Sequence, residues 1–134
     1  MLKKFNISTK KDDVYDITES VREYVNQSGV EEGTCIVYTA HTTAGLCATS
    51  KMDPAGFDDL RDEINRLIPT RIDFKHQFDT PSDAAGHVKS ALIGVTMSLI
   101  VTRGELLLGS SQGLYFLEFD GPRNRSYYVK VIAD

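Results

Sequence analysis

The chain has 134 residues, 41% hydrophobic and 25% charged, with a net charge of −4, which suits one domain over residues 1–134 with a real hydrophobic core. The acidic balance argues against a nucleic-acid partner, which calls for a basic patch, and no apolar run approaches the ~18 residues of a membrane span. The N-terminus, Met1-Leu2-Lys3-Lys4-Phe5-Asn6, turns polar too early for the apolar core of a signal peptide, so the expected compartment is the cytoplasm.

Lys3 to Ser8 reads as the first strand, followed by a polar turn over Thr9 to Asp13. Asp16-Ile17-Thr18-Glu19 reads as a capping box, Asp16 accepting an amide hydrogen while Glu19 reaches back. Ile17, Val21, Tyr24 and Val25 then recur at helical spacing, and Gly29 suits the left-handed residue that ends a helix. Thr34 to Ala40 is rich in β-branched and aromatic residues and reads as a strand, with a second short one over Gly45 to Thr49. His41-Thr42-Thr43 falls at the join. Asp53-Pro54 starts a second helix, with Phe57, Leu60, Ile64 and Leu67 as its buried face and Pro69 as its stop. Thr70 to Pro81 is polar and loop-like. Ser82-Asp83 can cap a third helix carrying Ala84, His87, Val88, Ala91 and Leu92.

The last third reads as strands alone. Val95 to Val101 runs into a hairpin turn at Thr102-Arg103-Gly104-Glu105, with Gly104 supplying a positive φ, and Leu106-Leu107-Leu108 returns. Gly109-Ser110-Ser111-Gln112-Gly113 is a further turn. Leu114 to Phe119 and Ser126 to Ile132 flank an Asp120-Gly121-Pro122 turn. Helices mixed with strands, then strands alone, predict α+β with a largely antiparallel sheet.

Neutral imidazole is the commonest protein metal ligand and an acid–base group tuned near neutral pH. All three histidines, His41, His76 and His87, lie between positions 41 and 87 in polar company. Three histidines have the type and number that catalytic zinc uses, with one position left for water or substrate. The alternative is that they are surface residues or satisfied core residues. Asp83 and His87 are four apart and share a helix face, so the carboxylate can orient the ring. The alternative for that pair is a surface hydrogen bond.

Glu118 and Asp120 sit in register as a carboxylate pair that can hold magnesium or salt-bridge Arg123 and Arg125. The loop around Ser110 and Gln112 can offer amides and hydroxyls to phosphate, or be a plain turn. No Walker loop and no nucleophile elbow is present. Cys35 and Cys47 read as small buried hydrophobes, with a thiolate zinc ligand as the other reading.

Five motifs in order resemble the YjbQ-like family, whose members are described as secondary thiamine-phosphate synthases. They are His41-Thr42-Thr43-Ala44-Gly45, Asp53-Pro54, Ala84-Ala85-Gly86-His87-Val88-Lys89-Ser90, Leu108-Gly109 with Gln112-Gly113, and Glu118-Phe119-Asp120-Gly121-Pro122-Arg123. The resemblance covers essentially the whole chain. It implies an α+β fold with strands packed as a sandwich, two to three helices, and a homotrimer.

The resemblance also implies a site with His41, His76 and His87 as metal ligands, zinc or magnesium being the divalent candidates. His41, His87 and Asp83 become the catalytic candidates. Thr42, Thr43, Lys89, Ser110, Gln112, Asp120, Arg123 and Arg125 become the candidate contacts of a small phosphorylated metabolite. The implied reaction joins a pyrimidine-methyl diphosphate to a thiazole phosphate and expels pyrophosphate. The alternatives are a metal- or phosphometabolite-binding trimer without synthase activity and a zinc-dependent hydrolase.

The chain departs from the family pattern at two places. Thr49-Ser50-Lys51 stands where many relatives carry Asn-Glu-Asn, and Ser111 where a tryptophan is common. The segment Asp79-Thr80-Pro81-Ser82 also lengthens the link between His76 and His87.

Overall fold

Strand β7 (Gln112–Glu118) is buried on both faces and organises the computed structural model, which describes residues 1–51 and 53–134. It pairs with β2 (Val14–Asp16) on one side and β4 (Ala44–Ser50) on the other. Facing this small sheet is a five-stranded one, ordered β1-β8-β3-β5-β6. Its members are β1 (Leu2–Ser8), β8 (Asn124–Ala133), β3 (Gly33–Tyr38), β5 (Thr96–Thr102) and β6 (Glu105–Leu106). Every pairing is antiparallel, as expected for this α+β sandwich.

The two-residue period of a strand sorts side chains into layers. Leu114 and Phe116 of β7 meet Cys35 and Val37 of β3 and Tyr127, Val129 and Val131 of β8 between the sheets. Helix α1 (Thr18–Ser28) adds Val21, Tyr24 and Val25 to that core, and Gly29 ends it at φ 74°. Tyr115, Leu117 and Phe119 point the other way, under Phe57, Leu60 and Ile64 of α2 (Pro54–Leu67) and Ile93 of α3 (Pro81–Ile93). Among the described residues no helix is long and apolar enough to cross a membrane.

Several local expectations change. Val14–Asp16 is a strand that the polar turn signal conceals. Asp16 Oδ1 accepts from the Thr18 amide at 2.9 Å, but Glu19 does not reach back and instead lies 3.9 Å from Arg22. The return after Gly104 pairs only at Glu105–Leu106. Asp53 caps α2 as expected, accepting from the Gly56 amide at 2.9 Å, but Leu67 is exposed.

Helix α3 begins at Pro81, capped by the Thr80 hydroxyl rather than by Ser82-Asp83. Its buried face is small and polar: Asp83, Ala84, Ala85, Gly86, Lys89 and Ser90. Val88, Ala91 and Leu92 face outward, while Ala84 is buried and His87 is half-buried. Gly86 explains the close packing. A Cβ there would stand 3.0 Å from the Phe119 carbonyl oxygen and 3.1 Å from Thr43.

At one end of the sandwich the core turns ionic. Arg125 of β8 donates from Nε to Glu118 Oε1 at 2.7 Å and from Nη2 to Oε2 at 2.5 Å. Glu118 also accepts the Thr9 hydroxyl at 2.5 Å and the Asp120 amide at 3.0 Å. Arg125 Nη2 reaches Thr43 Oγ1 at 2.7 Å. Both charges are almost wholly buried, and this bidentate geometry offsets their desolvation. Removing one partner strands the other, so Glu118→Ala is expected to cost about 3–5 kcal/mol in urea denaturation. A cost under about 1 kcal/mol would contradict the central place given to the pair.

Candidate metal centre

Helix periodicity places Asp83 and His87 one turn apart on α3. His87 Nε2 lies 3.0 Å from Asp83 Oδ2, and its Nδ1 lies 3.1 Å from the Thr42 carbonyl oxygen. A carbonyl can only accept, so Nδ1 carries a hydrogen. In the neutral ring Nε2 is then a lone pair facing a carboxylate oxygen, two acceptors aimed at one point. A proton or a metal ion between them reconciles that geometry.

A second imidazole joins the same point. His76 Nε2 lies 3.5 Å from Asp83 Oδ2, and the two imidazole rings meet edge-on at 5.2 Å between centroids. One ligand atom from each of His76, Asp83 and His87 falls within 4.8 Å of the others. Two imidazoles and one carboxylate form a donor set that fits zinc, with room for a further ligand. The Thr42 carbonyl is the outer partner that orients a ligating histidine.

The cluster opens on a pocket of about 810 Å³ whose wall is apolar, from Leu67, Pro69, Phe74 and Val88. Arg71 and Lys75 add positive charge. Arg71 pairs with Asp73 at 3.0 Å and lies over the Phe74 ring. Lys75 has no protein partner among the described residues. Nothing in the sequence pattern distinguishes Lys75 or Phe74 from an ordinary polar loop.

The other expected site residues disperse. His41 is not in the three-ligand group; its Nε2 accepts from the Ser126 amide at 3.0 Å. Thr43 is buried and holds Arg125, while Thr42 contributes its carbonyl. Glu118 and Asp120 do not form a shared carboxylate site, because each takes an arginine. Asp120 accepts from Arg123 Nη2 at 2.9 Å and from the Ser82 hydroxyl at 2.8 Å. Burial pushes the Asp120 carboxyl up, but these two bonds and the charges of Arg123 and Arg125 together hold it below the usual range.

Lys89 is buried, with Nζ donating to Asn65 Oδ1 at 2.5 Å, and burial lowers its pKa. Cys35 lies in the core, its thiol pushed up to about 11 by burial, and neither cysteine joins the cluster.

Ser110 and Gln112 lie at the opposite end of β7 from Glu118, roughly 20 Å away at strand rise. They line a separate pocket of about 430 Å³ with Thr49, Ser50 and Ser111. The two departures from the family pattern, at Thr49-Ser50 and at Ser111, therefore fall in one place.

Fold and site define an antiparallel α+β sandwich carrying a two-histidine, one-carboxylate cluster at the start of a helix. The chain belongs to the YjbQ-like UPF0047 family, whose profile matches residues 3–134. It is 40% identical to UPF0047 protein MJ1081 of Methanocaldococcus jannaschii, covering 100% of this chain and 96% of that one. It is 36% identical to UPF0047 protein YugU of Bacillus subtilis, covering 99% and 100%. A solved YbjQ-like protein of unknown function from Sulfolobus solfataricus superposes with a TM-score of 0.94 at 26% identity, covering 100% and 97%. A YjbQ/UPF0047 protein from Clostridium acetobutylicum does so at 0.89 and 37% identity, covering 97% and 99%.

His41 gives a pH test. Burial lowers its pKa, and the nearby Arg125 lowers it further. The folded state therefore favours the neutral ring that accepts the Ser126 amide. The stability this contributes is fully present above the unfolded value near ~6.5 and is lost as pH falls through the lower folded value. An NMR titration of the ring is expected to show a midpoint below ~6.5. A midpoint at or above that value would contradict the tautomer assigned here.

Proposed function

We propose that this protein binds one divalent ion, zinc first, through His76 Nε2, Asp83 Oδ2 and His87 Nε2, and acts on a small phosphorylated metabolite in the adjoining pocket. The observation that carries this reading is the pair of acceptors, His87 Nε2 and Asp83 Oδ2, facing each other at 3.0 Å while Nδ1 is held by the Thr42 carbonyl. Asp83 replaces His41 in the ligand set. His76 brings the loop before α3 to the cluster, and Lys75 leaves an unpaired cation for an anionic group. A bound ion would stabilise negative charge developing on a substrate oxygen.

The specific activity we propose is the family-like one: joining a pyrimidine-methyl diphosphate to a thiazole phosphate with loss of pyrophosphate. Expelling that leaving group calls for cations aimed at its oxygens, and Lys75 and Arg71 stand at the pocket for this role. The resemblance also supports a homotrimer. A second reading, a zinc-dependent hydrolase, is favoured by the open coordination position of a three-ligand set.

Metal analysis after zinc loading is expected to give one ion per chain, lost in Asp83→Ala and His87→Ala and kept in His41→Ala. Protein without affinity for added zinc would overturn the metal reading. Incubation with both thiamine precursors and a divalent ion is expected to yield thiamine phosphate well above the Asp83→Ala background. Equal yields would end the synthase proposal, and release of phosphate from a simple monoester instead would favour the hydrolase.

A further inference from the structure

Two further depressions follow the pocket at the candidate metal cluster. Thr42 and His87 line both the 810 Å³ pocket and a neighbouring depression of about 360 Å³. His41 lines that depression and a third one, of about 500 Å³, on the outer face of the large sheet. His41 therefore stands between the cluster side and this third depression.

The third depression has an unusual lining. Lys4, Asn6 and Ser8 project from one face of β1, and β8 sets Ser126 opposite Asn6 and Asn124 opposite Ser8. No carboxylate lines it, although Asp and Glu outnumber Lys and Arg by 19 to 15 in the chain. The polar groups left over are donors. The neutral His41 ring accepts the Ser126 amide on Nε2, so its proton sits on Nδ1. Asn124 Oδ1 accepts the Ser8 hydroxyl at 3.3 Å, which leaves its Nδ2 hydrogens. The side chains of Lys4 and Asn6 have no protein partner among the described residues. Beneath the depression Glu118 neutralises Arg125, so the unpaired positive charge at its lining is that of Lys4, which also acts on His41.

The remaining cations near the family motifs are engaged elsewhere: Arg123 by Asp120, Arg125 by Glu118 and Lys89 by Asn65. Lys4 is the free one on this side. Free donors, a free ammonium and no acid form a complement to a tetrahedral oxyanion. We propose that the Lys4–Asn6–His41–Asn124 depression is a phosphate-binding site, separate from the metal cluster. It shares with the preceding reading the expectation of a phosphorylated ligand and requires no metal.

The test uses the full chain stripped of metal, titrated calorimetrically with inorganic phosphate and separately with phenyl phosphate. Saturable binding of at least one of them is expected. Lys4→Gln is expected to weaken it roughly tenfold, the worth of one charge-assisted hydrogen bond. Asn6→Asp, which places a negative charge in the depression, should abolish it. Arg103→Gln, in the exposed turn after β5 and outside the pockets described above, should leave it unchanged. Tighter phenyl phosphate identifies a monoester as the ligand, and inorganic phosphate alone identifies the free ion; both support the site. Absence of saturable binding of either anion, or any other pattern among the variants, overturns the proposal. Because the protein is metal-free, this outcome is independent of whether zinc binds.

Discussion

The buried pair of Glu118 and Arg125 is the constraint on which the rest of the structure depends. It joins the small sheet to the large one where apolar packing between them ends. Glu118 continues the inward row of Leu114 and Phe116, and Arg125 continues that of Tyr127 and Val129. Each remaining hydrogen-bonding position of the pair fastens a different segment: Thr9 after β1, Thr43 before β4, and Asp120 after β7. A charge out of water must be matched by partners in fixed places. Satisfying this pair therefore fixes the paths of three loops at once.

The candidate centre inherits its geometry from those loops. Thr43 is held by Arg125, so the preceding carbonyl of Thr42 is held where His87 Nδ1 can meet it. Gly86 lets α3 approach the Phe119 carbonyl and Thr43 closely, which places the helix start beside that carbonyl. Asp83 and His87 then need only helical spacing. His76 arrives from the long polar loop, and the extra residues before α3 do not keep it from Asp83.

Charge pairing decides which cations remain for ligands. The arginines that look suited to phosphate in the sequence are neutralised by carboxylates two sheets or a turn away. Lys4 and Lys75, whose side chains have no protein partner among the described residues, line separate depressions, one beside His41 and the other beside His87. At the far end of β7, Thr49, Ser50 and Ser111 line one pocket with Gly109, Ser110 and Gln112.

Local pattern was enough for most of the elements. Period-two and period-3.6 spacing placed β1, β3, β4, β5, β7, β8 and the three helices to within a few residues, and the Asp83–His87 pair followed from spacing alone. These features depend on neighbours in the chain, which a sequence displays. The buried face of α3 did not follow, because its small and polar residues pack against Thr43 and Phe119. Nor did the place of His41 outside the cluster of His76, Asp83 and His87, the engagement of Arg125 and Lys89, or the separation of Ser110 and Gln112 from that cluster. Each depends on which residues of distant segments meet in space, and antiparallel pairing of strands remote in sequence is what brings them together or holds them a strand's length apart.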